Sequence, residues 1–166
     1  SSVMVITSRE RASGSTIQYS RTPYFSYNFL LIVTSQSLLK GEIRITQGLD
    51  FIDDVIIDTH FVHRGRIGRL FQAVASNPSV LGIGLGEDTG LLIKGNSSME
   101  AIGSGLVILV DGRNIKDTNL SYVAMGEPIS IDNLVVHVMA MYDHYDLKSH
   151  QLILHKSVAS RSDDDE

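Results

Sequence analysis

The stretch DVIIDTHFVHRGRIGRLFQAVASNPSVLGIGLG, Asp54 to Gly86, decides the fold. Val55-Ile56-Ile57 is a short continuous apolar run flanked by acids, as expected of a strand covered on both faces. From Arg66 to about Ser76, Ile67, Leu70, Phe71 and Val74 recur at three- and four-residue steps, which predicts a helix, and Asn77-Pro78 supplies its stop. VLGIGLG, Val80 to Gly86, reads as a second short apolar strand. Strand, helix and strand in so short a span make a βαβ unit, whose strands must be parallel and whose crossover is right-handed.

Outward from this unit the punctuation is uneven. Upstream, GEIRIT from Gly41 alternates as a strand, but the stretch from 11 to 36 mixes Ser, Thr, Tyr and a Pro with no sustained period and reads as loop or insertion. Downstream, TGLLIKGNSSMEAIGSGLVILVDG reads as three short strands joined by turns, and NLVVHVMAMYDHYDL as one further strand running into a polar end. This half is a β-rich flank. Residues 160–166 form an acidic, solvated tail. There is no internal repeat, and one domain over 1–166 is the expected organisation.

Composition narrows the function classes. With 166 residues and 43% apolar composition the chain can fill an ordinary core. A net charge of −5 argues against a general nucleic-acid binder, because a polyanion partner calls for a surplus of Lys and Arg. No apolar run reaches the roughly 18 residues of a membrane span, so the expectation is a soluble protein, with the cytoplasm favoured. The absence of cysteine rules out disulfides, thiolate metal sites and a Cys nucleophile within this chain.

The chemistry concentrates at the end of the first strand. In a parallel sheet, ligands sit outside the carboxyl ends of the strands, where helix N-termini point their amides outward. His60 stands at that end of one strand and Glu87 at the same end of the next. A carboxylate holding an imidazole is the base-and-orienter half of a nucleophilic triad. Spacing alone leaves a plainer reading open, since a histidine after a strand is often structural and an acid after a Gly-rich strand is often a turn residue. Arg64, Arg66 and Arg69 add weight. Arg64 and Arg66 fall at the start of the helix, where the macrodipole disfavours positive charge, so the placement calls for an anion. Guanidinium groups bind two oxygens in one plane and make a carboxylate or phosphate clamp. His137 fits a packed strand residue, Tyr142 to Asp146 lacks a specific zinc pattern, and Gly103-Ser104-Gly105 fits a turn and not a nucleophile elbow.

DTHFVHRGRIGRL, followed by NPSVLGIGLGEDTGLLI and GSGLVILVDGR, resembles the cyanophycinase family of serine exopeptidases from about Gly41 to Leu147. The resemblance implies a flavodoxin-like, class I glutamine amidotransferase-like α/β fold with a parallel sheet. It implies hydrolysis of cyanophycin, a poly-aspartate with arginine on its side chains, to β-aspartyl-arginine dipeptides, without a cofactor or metal, in a homodimer. It makes His60 the general base, Glu87 its orienting acid, and Arg64, Arg66 and Arg69, with Thr59, the substrate-binding residues. Thr59 stands where cyanobacterial members often carry Gln, which brings other isoaspartyl peptides into range as substrates. The family's nucleophilic serine lies in a G-[TG]-S-A-G-A elbow ahead of the histidine, and no such string occurs in this chain. Ser1-Ser2-Val3-Met4 matches the continuation past that elbow, so the expectation is a C-terminal portion with Ser1 and Ser2 in a helix and the nucleophile elsewhere. Two alternatives stand beside this one: a non-catalytic module or partner subunit that keeps the arginine clamp for acidic peptides, and an amidotransferase-type hydrolase, which would need a Cys in the elbow.

Overall fold

A computed structural model describes the backbone of residues 3–9, 16–20, 30–32, 38–41, 44–46, 54–59, 67–95 and 97–156, and side-chain surroundings for 38–41, 54–59, 67–95 and 97–156. In chain order the first elements are β1 (Val3–Arg9), β2 (Thr16–Ser20), β3 (Leu30–Ile32), β4 (Arg44–Thr46), β5 (Val55–Thr59), α1 (Ile67–Ser76) and β6 (Leu81–Leu85). There follow β7 (Thr89–Lys94), β8 (Ser98–Gly103), β9 (Val107–Asp111), β10 (Asp117–Thr118), β11 (Ile131–Asp132), β12 (Val135–Met139), β13 (His144–Asp146) and β14 (Gln151–Ile153).

The βαβ unit is present as the sequence implies. β5 and β6 pair in parallel with Ile57 opposite Ile83 and Thr59 opposite Leu85. They sit inside a six-stranded sheet of order β12-β9-β6-β5-β3-β4. That sheet is mixed and not wholly parallel: β3 also runs parallel to β5, whereas β4, β9 and β12 are antiparallel to their neighbours. The chain reaches β9 from β6 through the hairpin β7-β8, and an antiparallel return needs no crossover helix. The structure is thus an α/β fold with a mixed sheet and, among the described residues, little helix.

Alternation assigns the two faces. On β5, Ile56 packs with Leu70, Ala73 and Val74 of α1, and Val110 of β9 joins them. Val55 points to the other side, with Leu81, Ile83, Leu85, Val107 and Leu109. Those residues meet Leu91, Ile93, Met99, Ala101 and Tyr145 of a second, antiparallel six-stranded sheet of order β14-β13-β8-β7-β1-β2. The layers are therefore helix, mixed sheet and antiparallel sheet, and β5 and β6 in the middle layer are buried on both faces because both are covered. Gly82 explains how the helix lies so close: a Cβ there would stand 2.7 Å from Val74 Cγ2 and 3.0 Å from Leu70 Cδ1. Gln72 also ties α1 to the segment ahead of β4, its amide accepting from Gly41 N (3.0 Å) and donating to Gly41 O (2.8 Å).

Val3 and Met4 begin β1, which pairs antiparallel with β7, and Val3-Met4-Val5-Ile6-Thr7 is rich in β-branched residues. Ser1 and Ser2 lie outside the described residues. Within the stretch 11–36, read as loop or insertion, β2 pairs with β1 and β3 pairs with β5. NLVVHVMAMYDHYDL forms two strands, β12 and β13, which belong to different sheets. The chain breaks between them because the buried Asp143 carboxylate accepts from Ala140 N (2.9 Å) and His155 N (2.7 Å), and Tyr142 adopts φ 73°.

Candidate active site at the carboxyl rim of the mixed sheet

β5 and β6 end side by side, with Thr59 and Leu85 as the last paired residues. The carboxyl ends of both strands therefore lie at one rim, the position at which open α/β sheets hold ligands. Thr59 is buried there. One residue beyond Leu85 comes Gly86, whose N–H donates to Leu106 O at 2.9 Å, and then the half-buried Glu87.

The turn bearing Glu87 is held from several sides. Thr89, itself buried, donates its hydroxyl to Glu87 O at 2.9 Å. Ser104 N donates to Asp88 O at 3.1 Å, so the 103–106 segment lies directly against the 86–89 turn. Asp88 adopts φ 50°, in the left-handed region that Asp tolerates better than most residues.

Arg69 is the one of the three candidate substrate-binding arginines that lies among the described residues. It is 3% exposed, within α1, and its guanidinium grips the fully buried Asp58 carboxylate of β5 through both carboxylate oxygens. The Nε–Oδ2 contact is 2.5 Å. Asp58 lies on the helix-facing side of β5 because it is two residues beyond Ile56, and Arg69 precedes Leu70 on the buried stripe of α1. A bidentate pair of this kind fixes the helix to the end of the strand that leads into the rim. Asp58 is marked in the sequence only as an acid in phase with Ile56 on a strand that buries both faces. His60, His63, Arg64 and Arg66 lie outside the described residues.

The flank carries a second polar group. Asp111, at the end of β9, is held below the usual carboxylate range by hydrogen bonds from Arg113, including one from Nε at 2.9 Å. Near it the buried Tyr145 packs against His137 (ring centroids 5.5 Å apart) and His150 (6.4 Å). Burial pushes the Tyr145 phenol up to about 12. Neither its hydroxyl nor His150 Nδ1 has a hydrogen-bond partner among the described residues. Among the described residues no group of three or more His, Asp or Glu side chains is gathered as a metal ion would require.

The class so defined is an α/β protein with an acid on the carboxyl rim of a parallel strand pair. Comparison with characterised proteins carries it to a family. The chain is 37% identical to a cyanophycinase of Synechococcus elongatus over 114 residues, 69% of this chain and 35% of that protein. It is 38% identical to a cyanophycinase of Geminocystis herdmanii over 118 residues, 71% of this chain and 43% of that protein. It is 39% identical to one from Trichormus variabilis over 100 residues, 60% of this chain and 34% of that protein. No family model matches the chain. On these relationships the chain belongs to the cyanophycinase family. It spans about a third to two fifths of the length of the curated relatives it matches.

Proposed function

We propose that this chain contributes the base, its orienting acid and the arginine clamp of a serine-type exopeptidase. The enzyme releases β-aspartyl-arginine dipeptides from cyanophycin or cuts related isoaspartyl peptides. The observation that supports the reading is the parallel, in-register pairing of Thr59 with Leu85, which puts the carboxyl ends of the strands that precede His60 and Glu87 in sequence at one rim. His60 takes the proton from a serine carried by the family's elbow, outside these 166 residues, and Glu87 stabilises the imidazolium. Backbone amides beside that serine hold the oxyanion. Arg64, Arg66 and Arg69 bind the carboxylates of the aspartyl backbone, with Thr59 beside them. The pair of Arg69 with Asp58 holds α1 to β5. The wider fold is read as a flavodoxin-like, class I glutamine amidotransferase-like sheet, and the working unit as a homodimer.

The test is release of β-Asp-Arg from cyanophycin by the complete protein, nucleophile segment included. His60→Ala is expected to lower kcat by several orders of magnitude, on the order of the 10⁴–10⁶-fold losses seen when a triad member is removed. Near-native hydrolysis by that variant overturns the reading. Saturable binding of cyanophycin with no cleavage by the unsubstituted protein overturns it in favour of a non-catalytic acidic-peptide module. Arg64→Ala is expected to raise KM more than it lowers kcat, because clamping a ground-state carboxylate is partly uniform binding.

A further inference from the structure

We infer that Thr89 and Gly105 are positioning residues for Glu87, clamping its turn so that the carboxylate meets the imidazole in one fixed geometry. This rests on the reading of Glu87 as the orienting acid of His60. A carboxylate orients a catalytic imidazole only while it holds the ring N–H within hydrogen-bond reach, and errors approaching 1 Å at such contacts cost large factors in rate. Glu87 sits on a short turn between two strands, where one residue of slack would swing its side chain off the rim.

The structure removes that slack from both sides. Within the turn, the Thr89 hydroxyl closes onto Glu87 O at 2.9 Å, fixing the peptide plane that follows the Glu87 Cα. Thr89 is 2% exposed, so this hydroxyl is shielded from competing solvent. From outside the turn, Gly105 lies so close that a Cβ would come within 2.1 Å of Thr89 Oγ1 and 2.4 Å of Glu87 O. The hydrogen bonds from Ser104 N to Asp88 O (3.1 Å) and from Gly86 N to Leu106 O (2.9 Å) bracket the same three residues. The Gly103-Ser104-Gly105 turn, unremarkable in sequence, is therefore the backstop of the candidate acid.

The experiment compares Thr89→Val, Thr89→Ser and Gly105→Ala with Glu87→Gln in the complete protein, following cyanophycin hydrolysis against pH. Thr89→Val keeps the shape and removes the donor. It is expected to lower kcat by about ten- to a hundredfold with KM changed less than about threefold. The acidic limb of kcat/KM is expected to move to lower pH, because a misplaced carboxylate favours the imidazolium less. Thr89→Ser, which restores the donor, returns kcat to within about threefold of the parent and restores the limb. Gly105→Ala shifts kcat and the limb in the same direction as Thr89→Val. A loss of kcat with the pH limb unmoved, or no rescue by Ser, marks a merely structural role and overturns the clamp. If Glu87→Gln slows the reaction while Thr89→Val does not, the clamp alone falls. If Glu87→Gln is itself as fast as the parent, the assignment of Glu87 falls first and the clamp with it.

Discussion

On the helix face of the mixed sheet the buried Asp58 carboxylate is met by both arms of Arg69; on the opposite face the equally buried Tyr145 hydroxyl meets no partner among the described residues. Both groups are buried, and both cost free energy to desolvate. The difference is what each does with that cost. The ion pair converts it into a fixed docking of α1 against β5, next to the strand end that leads to His60. The phenol contributes a large apolar body to the layer between the sheets and leaves its polar tip uncompensated. The rim is thus specified by matched charges and the flank by packing, and substitutions should separate the two.

The largest effect is expected at the pair. Arg69→Met leaves Asp58 buried without its bidentate partner and should destabilise folding by about 3–5 kcal/mol, read from urea unfolding. The double variant Asp58→Leu, Arg69→Met should be considerably more stable than Arg69→Met alone, because the buried carboxylate is removed together with its guanidinium partner. If the two single losses simply add, the pair does not couple strand to helix. Tyr145→Phe should do the reverse and leave stability unchanged or raised by up to about 1 kcal/mol, since it deletes an unsatisfied hydroxyl and keeps the ring. The pH dependence sharpens this. The Tyr145 pKa is raised from 10.0 to about 12 in the folded chain, so the neutral phenol is favoured by folding. Its contribution is present in full below pH 10 and is lost as pH rises from about 10 to about 12. Unfolding midpoints across that window should fall more steeply for the parent than for Tyr145→Phe; equal slopes would mean the phenol ionises as easily folded as unfolded. The smallest effect is expected at the surface, where Lys94 Nζ stands 3.1 Å from Glu100 and His144 3.3 Å from it. Lys94→Ala should cost less than about 1 kcal/mol, and the loss should shrink in molar salt.

Elements whose partners lie nearby in the chain were legible. Leu70, Phe71 and Val74 spell the helix because α1 presents them to the mixed sheet, whereas Ile67, its first residue, is exposed. The β7-β8-β9 run was readable from its turns because its strands pair or follow one another closely. β1, β2 and β3 were not, since β1 finds its partner in β7 more than eighty residues on, with Ile6 opposite Leu91. At the site the sequence marked Glu87 and the arginine-rich stretch as chemistry. That Arg69 pairs with Asp58, and that Gly105 touches the Glu87 turn, depends on which backbone lies against which.

By itself, then, the sequence determined the βαβ unit and the family, because periodicity, turn residues and a specific motif are local properties of the chain. The tertiary structure decided the rest. It made the sheet mixed, covered its second face with an antiparallel layer, turned one cation of the arginine stretch inward and set a glycine turn behind the candidate acid. Each of these depends on contacts between segments far apart in sequence, where burial and close approach, and not residue type, choose the outcome.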